Sequence, residues 1–336
     1  MIQGHGDDLY RYTNIVSNFS SNIYTKLNLL GLQQHLCSCI SSVHAYPEPD
    51  AHSLAQLLVT KLNITTDNIL LTNGATEAIY QIAHLFGGSN ASIIIPTFSE
   101  YEDACRIHKI TLNFATSLEE LAENTQLLWL CNPNNPTGAV HSRDDIVDFV
   151  ENNPQIITVI DQSYAYFTHQ NVWTAEEALQ HKNVILIHSM TKRYAIPGLR
   201  LGYVTAHELL MAQLRTLSMP WSVNQLAIEA GKYLLSEGGT ALNFDLSRYL
   251  SEAKQLRENL SRIVGLTVMP SSTHFFLCSL ANGKTAAELK EHLASKHGIL
   301  IRDAANFRGL DERYFRLAAQ SSEENSMLVK AIEQWI

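Results

Sequence analysis

The sequence predicts an α/β protein with a mainly parallel sheet, followed by a smaller α+β unit. Three observations carry that reading. The middle third alternates short, continuous apolar runs with helical patterns. Each of those runs ends on polar residues, glycine or proline, where an open α/β sheet places its ligands. The last hundred residues change to a different order: helix, two strands, helix, two strands, helix.

The apolar runs at 93–95, 127–130, 156–160 and 184–187 are short and unbroken, as suits strands covered on both faces. Between them lie helical stretches such as 144–152, with Ser142 as N-cap and Asp144 and Asp145 in the first turn. Toward the C-terminus the pattern predicts a helix over 249–263 and strands at 266–268 and 275–278. A helix over 286–295, strands at 299–301 and 314–318, and a helix over 323–335 follow. The expected organisation is an N-terminal arm and part of the small unit in 1–45, a large unit in 46–235 and a small C-terminal unit in 236–336. There is no repeat or low-complexity tract.

The chain has 336 residues, room for roughly two domains at about 150 residues each. Its 24 basic and 33 acidic residues leave a net charge of −9, which argues against nucleic acid as a partner. Anionic small substrates stay open, because local arginines can oppose the net charge. No apolar run reaches the length of a membrane span. The start, Met1-Ile2-Gln3-Gly4-His5-Gly6-Asp7-Asp8, lacks the basic and apolar regions of a secretory signal. Five cysteines are too few and too odd for a disulfide scaffold. Cys37-Ser38-Cys39 has no second pair at zinc-ribbon spacing, so no metal is expected. A cytoplasmic enzyme is the expectation.

Four strand ends carry candidate chemistry. Leu71-Thr72-Asn73-Gly74-Ala75-Thr76-Glu77 runs from a strand through a glycine turn into a helix, whose first N–H groups suit a phosphate; an ordinary helix start reads the same way. In Cys131-Asn132-Pro133-Asn134-Asn135-Pro136-Thr137-Gly138, two prolines and a glycine stiffen a loop that can hold Asn135 toward a ligand, or form a simple turn. In Ile160-Asp161-Gln162-Ser163-Tyr164, an aspartate closes an apolar strand and calls for a positive partner. In Ser189-Met190-Thr191-Lys192, a lysine just past a strand, with hydroxyls one and three residues before it, suits a Schiff-base lysine beside a phosphate. Arg200, eight positions later, can return to that phosphate. Taken singly, Lys192 also reads as a solvated surface lysine.

In this order and spacing the four motifs resemble the fold-type I pyridoxal-phosphate enzymes of the class I/II aminotransferase family, over essentially the whole chain. The resemblance implies a seven-stranded type of large sheet and roles for individual residues. Lys192 carries the cofactor, Asp161 pairs with its pyridine nitrogen, and Tyr164 and Asn135 bond its ring oxygen. Phe98 stacks on the ring. Gly74, Ala75, Thr76, Ser189, Thr191 and Arg200 surround the phosphate. Tyr46 resembles the tyrosine that reaches the neighbouring subunit's phosphate, which implies a homodimer. Arg316 sits where the family binds an acidic substrate group.

Within the family, the stretches 191–203, 219–224 and 306–316 resemble threonine-phosphate decarboxylases of cobalamin biosynthesis, with histidinol-phosphate aminotransferases as near relatives. The implied substrate is a small phosphorylated amino acid, held by His5, Asn135, Arg302 and Arg316. His5-Gly6 resembles a substrate-binding arm, although the arm usually continues Gly-Asn and here reads Asp7-Asp8. Gln320 stands where related sequences often carry a basic residue. Arg308 and Arg313 are expected to be solvated. The contrasting class, a ligand sensor with a further DNA-binding domain, has no room in 336 residues.

Overall fold

The computed structural model describes residues 8–236, 239, 242, 244–281 and 283–336. Its strands are β1 (Ser17–Asn18), β2 (Ile69–Thr72), β3 (Asn90–Ile94), β4 (Thr111–Ala115), β5 (Leu127–Cys131), β6 (Ile157–Asp161), β7 (Val184–Ser189) and β8 (Gly202–Ala206). They continue with β9 (Leu266–Val268), β10 (Phe275–Leu280), β11 (Ile299–Leu300), β12 (Arg302–Asp303) and β13 (Tyr314–Ala318). Around the large sheet lie α1 (Leu30–Cys39), α2 (His52–Leu62), α3 (Gly74–Leu85), α4 (Glu100–Ile107), α5 (Arg143–Asn152), α6 (Ala175–Ala178), α7 (Met190–Arg193), α8 (Glu208–Arg215) and α9 (Gln225–Leu235).

Seven strands form that sheet in the order β2-β8-β7-β6-β5-β3-β4. All neighbours run parallel except those of β8, which is antiparallel to both β2 and β7. Every residue of β5 and β7 is buried, as expected for strands covered on both faces. The chain goes from β3 outward to β4 and returns to β5 on the other side of β3. That reversal makes a crevice beyond the carboxyl ends of the strands.

The C-terminal strands form a four-stranded antiparallel sheet, β12-β13-β10-β9. The helices Leu246–Leu260, Ala286–His297 and Ser322–Trp335 accompany it, and it shares one apolar core with Phe19 of the N-terminal arm. The arm also pairs β1 parallel with β11, and Phe19 N–H donates to Leu300 O at 2.8 Å. The next helix, α1, packs instead on α9 and places Leu32 in the core formed with α2.

Capping chemistry sets several helix ends. Ser142 accepts from Asp145 N–H, and Ser321 forms a reciprocal box with Glu324; such caps contribute about 1 kcal/mol each. The helix expected over 249–263 starts earlier, at Leu246, because Asp245 caps it through Arg248 N–H. The strand expected at 299–301 divides in two. The chain leaves β1 after Leu300 and joins β13 at Arg302, so successive residues serve different sheets.

Candidate active site

Strands β5, β6 and β7 end side by side, which sets Asn135, Asp161 and Lys192 around one cavity of about 330 Å³. Of the residues singled out by sequence, Ala75, Thr76, Phe98, Asn135, Asp161 and Tyr164 line it. So do Ser189, Thr191, Lys192, Arg200, Arg302 and Arg316.

One end is built for an anion. The first turn of α3 begins at Gly74, whose φ of +77° favours glycine, and its leading N–H groups have no helical acceptor. A methyl group on Gly74 would stand 2.5 Å from Arg200 Nη2, so the missing side chain lets the guanidinium lie against the turn. Gly202 on β8 does the same from below: a methyl there would meet Ala75 N at 2.7 Å. Ser189 and Thr191 add hydroxyl-bearing residues to the same wall.

Asp161 lies at the cavity floor, only 4% exposed. Tyr101 Oη donates to its Oδ2 at 2.7 Å, and Ser163 N–H donates to its Oδ1 at 2.8 Å. Burial raises its pKa, opposed by those hydrogen bonds and by the charge of Lys192. A protonated ring nitrogen brought against this carboxylate would supply a close cation and restore the charged form. The carboxylate thus already has two neutral donors, of which Tyr101 lies outside the sequence motifs.

Above the floor, Lys192 Nζ donates to Ser21 O at 3.3 Å. Tyr164 Oη accepts from Asn22 Nδ2 at 3.3 Å, and burial pushes its phenol up to about 12, opposed by the Arg316 charge. Its hydroxyl therefore stays protonated at neutral pH. Arg316 Nη1 donates to Asn135 Oδ1, and Nη2 donates to Ser20 O. Arg302 stands opposite Arg316 in the β12–β13 register, and both are buried. Arg302 donates to Asn306 Oδ1 at 2.7 Å, and burial lowers its pKa.

Residues 20–22 thus touch Arg316, Lys192 and Tyr164 in succession, although sequence reading gave them no role. No motif marks them; the signal is their burial, which only the fold supplies. Tyr46 is 85% exposed and lies outside this cavity, with its ring 5.3 Å from that of Trp221. His5 lies outside the described residues. Arg308 and Arg313 are half-exposed and pair with Glu102 and Asp311. Gln320 is buried and accepts from Thr25 Oγ1 at 3.1 Å.

The donor set fits pyridoxal phosphate on the strength of these observations: a glycine-shaped anion cradle, a buried carboxylate on the floor, and a lysine between them. Four cationic side chains, Lys192, Arg200, Arg302 and Arg316, and two carboxylates line the cavity. Among the described residues no helix is long and apolar enough to cross a membrane.

A family model described as aminotransferase class I and II matches residues 14–332. Threonine-phosphate decarboxylase of Salmonella typhimurium is 31% identical, over 94% of this chain and 90% of its own length. Histidinol-phosphate aminotransferase of Caldanaerobacter subterraneus is 27% identical, over 90% of this chain and 88% of its own. The crystal structure of L-threonine-O-3-phosphate decarboxylase from Porphyromonas gingivalis superposes with a TM-score of 0.92 at 39% identity, covering 95% of this chain and 99% of that one. The chain spans only 38% of the length of a bifunctional adenosylcobalamin biosynthesis protein from Leptospira interrogans, at 30% identity.

Proposed function

Since the chain belongs to the aminotransferase class I and II family, and is with it a pyridoxal-phosphate-dependent enzyme, we propose that its cavity takes a small phosphorylated amino acid and decarboxylates it, with threonine phosphate as substrate and cobalamin biosynthesis as setting. The observation that carries the substrate class is the pair Arg302 and Arg316. Both are buried register partners across β12 and β13 and both line the cavity, so an anion bound there meets two guanidiniums. A phosphate also accepts parallel hydrogen bonds from a guanidinium.

In this reading Lys192 holds the cofactor, Asp161 its ring nitrogen, Tyr164 and Asn135 its ring oxygen, and the α3 turn with Arg200 its phosphate. Phe98 covers the ring. When bound, that group would supply an electron sink for the bond broken at the substrate α-carbon. The protein decides which bond that is. If Arg302 and Arg316 take the substrate phosphate, the substrate carboxylate is left without a guanidinium and is the group lost, as carbon dioxide. Lys192 then delivers a proton from Nζ to the α-carbon. If Arg316 and Asn135 grip the carboxylate instead, it is retained, Lys192 removes the α-proton and transamination follows. The Arg316–Asn135 hydrogen bond already seen favours that second reading, a histidinol-phosphate aminotransferase.

Assembly as a homodimer belongs to the same proposal. Tyr46, which resembles a cross-subunit phosphate ligand, is exposed, as are the apolar Trp221, Met219, Val43 and Ile40. Sedimentation is expected to return a dimer; a monomer with full cofactor affinity removes this part. Five free thiols suit a cytoplasmic setting. The function itself is tested by product analysis. The holoenzyme is incubated with threonine phosphate, and separately with histidinol phosphate plus 2-oxoglutarate. Carbon dioxide from the first supports the proposal. Glutamate from the second, with no carbon dioxide from the first, replaces it with the aminotransferase.

A further inference from the structure

Away from the cavity, His35 and Cys39 lie one turn apart on α1 and face Glu229 of α9. We infer that these three side chains form a binding site for a zinc-type divalent cation. The Cys39 Sγ to His35 Nε2 distance is 3.7 Å, and His35 Nε2 to Glu229 Oε2 is 3.9 Å. All three donor atoms lie within 4.8 Å of one another. Bonds of about 2.0–2.3 Å to a tetrahedral cation put neighbouring donors about 3.3–3.8 Å apart, so only a small closing movement separates this arrangement from coordination. Among the described residues no other three such donors converge.

The surroundings orient the donors. Glu229 Oε1 accepts from Gln225 Nε2 at 2.9 Å and from Lys232 Nζ at 3.1 Å, which turns Oε2 toward His35. The Lys232 charge weakens the carboxylate as a donor but sits on the other oxygen. The His35 ring is stacked on Tyr233, with centroids 4.9 Å apart, which holds its plane. The side chains of His35 and Glu229 are 29% and 17% exposed, enough for an ion to enter from solvent. Thiolate, imidazole and carboxylate together suit zinc better than magnesium or calcium. Coordination releases the Cys39 thiol proton to solvent, so the two anionic donors balance a doubly charged cation, with water in the fourth position. The site ties α1 to α9. The spacing of Cys37 and Cys39 hid it, because the partners of Cys39 lie four residues before it and on a distant helix.

Cobalt(II) titrated into the holoenzyme reads the site directly. One equivalent is expected to give visible ligand-field bands and a thiolate-to-cobalt charge-transfer band, all abolished by zinc, and zinc is expected to raise the melting temperature. Cys39→Ser and His35→Gln are expected to lose the signal, Glu229→Gln to weaken binding at least about tenfold, and Cys37→Ser to keep it. Unchanged circular dichroism and cofactor absorbance show that each variant is folded. Absence of a thiolate band in the parent, or the parent's band persisting in Cys39→Ser, overturns the inference.

Discussion

Arg316 is held where a substitution is most informative. Its guanidinium bonds Asn135 and the Ser20 carbonyl while lying buried in the cavity wall, so its plane is fixed before any ligand arrives. A lysine keeps the charge but cannot offer two parallel N–H groups in that plane. Arg316→Lys is therefore expected to lose at least one charge-assisted hydrogen bond, about 1.5–3 kcal/mol, and to lower kcat/KM about 10- to 150-fold. Steady-state kinetics check this; a variant within about twofold of the parent shows that charge alone suffices. Asp161 makes a related point about what sequence can show. Its place at a strand end was legible, since a carboxylate closing an apolar run demands an explanation. Its donor Tyr101 was not, because a tyrosine on the buried face of α4, 60 residues earlier, is indistinguishable from ordinary core packing.

Between elements, the decisive contact is that of β8 with the start of α3. Gly202 pairs with Thr72 on one side and Ser189 on the other, directly beneath the turn that carries Ala75. A methyl group at 202 would lie 2.7 Å from Ala75 N, 2.8 Å from Gly74 C and 2.9 Å from His188 O, all backbone atoms that cannot swing aside. Gly202→Ala is expected to lift the first turn of α3 and misdirect its N–H groups. Affinity for pyridoxal phosphate should fall about tenfold or more, the worth of one hydrogen bond to a charged group, while affinity for pyridoxal changes little. Equal losses for the two ligands would mean a general packing defect instead. The strands that bear these elements were readable because a run buried on both faces must be apolar throughout. The arm at residues 17–23 and the split after Leu300 were not, because two-residue pairings impose no period on the sequence.

For the molecule as a whole, two buried histidines set an acid limit. His188, next to last in β7, stacks on Tyr203 with centroids 4.6 Å apart, and His274 packs against Phe167 and Tyr249 beside Tyr164. Burial lowers both to about 3, so both are neutral in the fold. In the unfolded chain a histidine takes up its proton near pH 6.5, so below that value the unfolded state binds more protons and stability falls. Each histidine should cost about 1.4 kcal/mol per pH unit, or about 2 kcal/mol by pH 5. The carboxylates act in a separate window. Glu102, Glu177 and Glu324 have lowered pKa values, so their contribution is lost only as pH drops below about 4.5. Between about pH 6.5 and 5 the histidines therefore dominate, with His108 and His141, which burial also lowers, adding to the effect of His188 and His274. Thermal melts of the holoenzyme are expected to show a clear fall across that interval, and His188→Gln or His274→Gln to shrink it, even though each variant starts from a lower melting temperature at neutral pH. A pH dependence unchanged in both variants would assign the acid limit to other groups and leave these two histidines as packing residues alone.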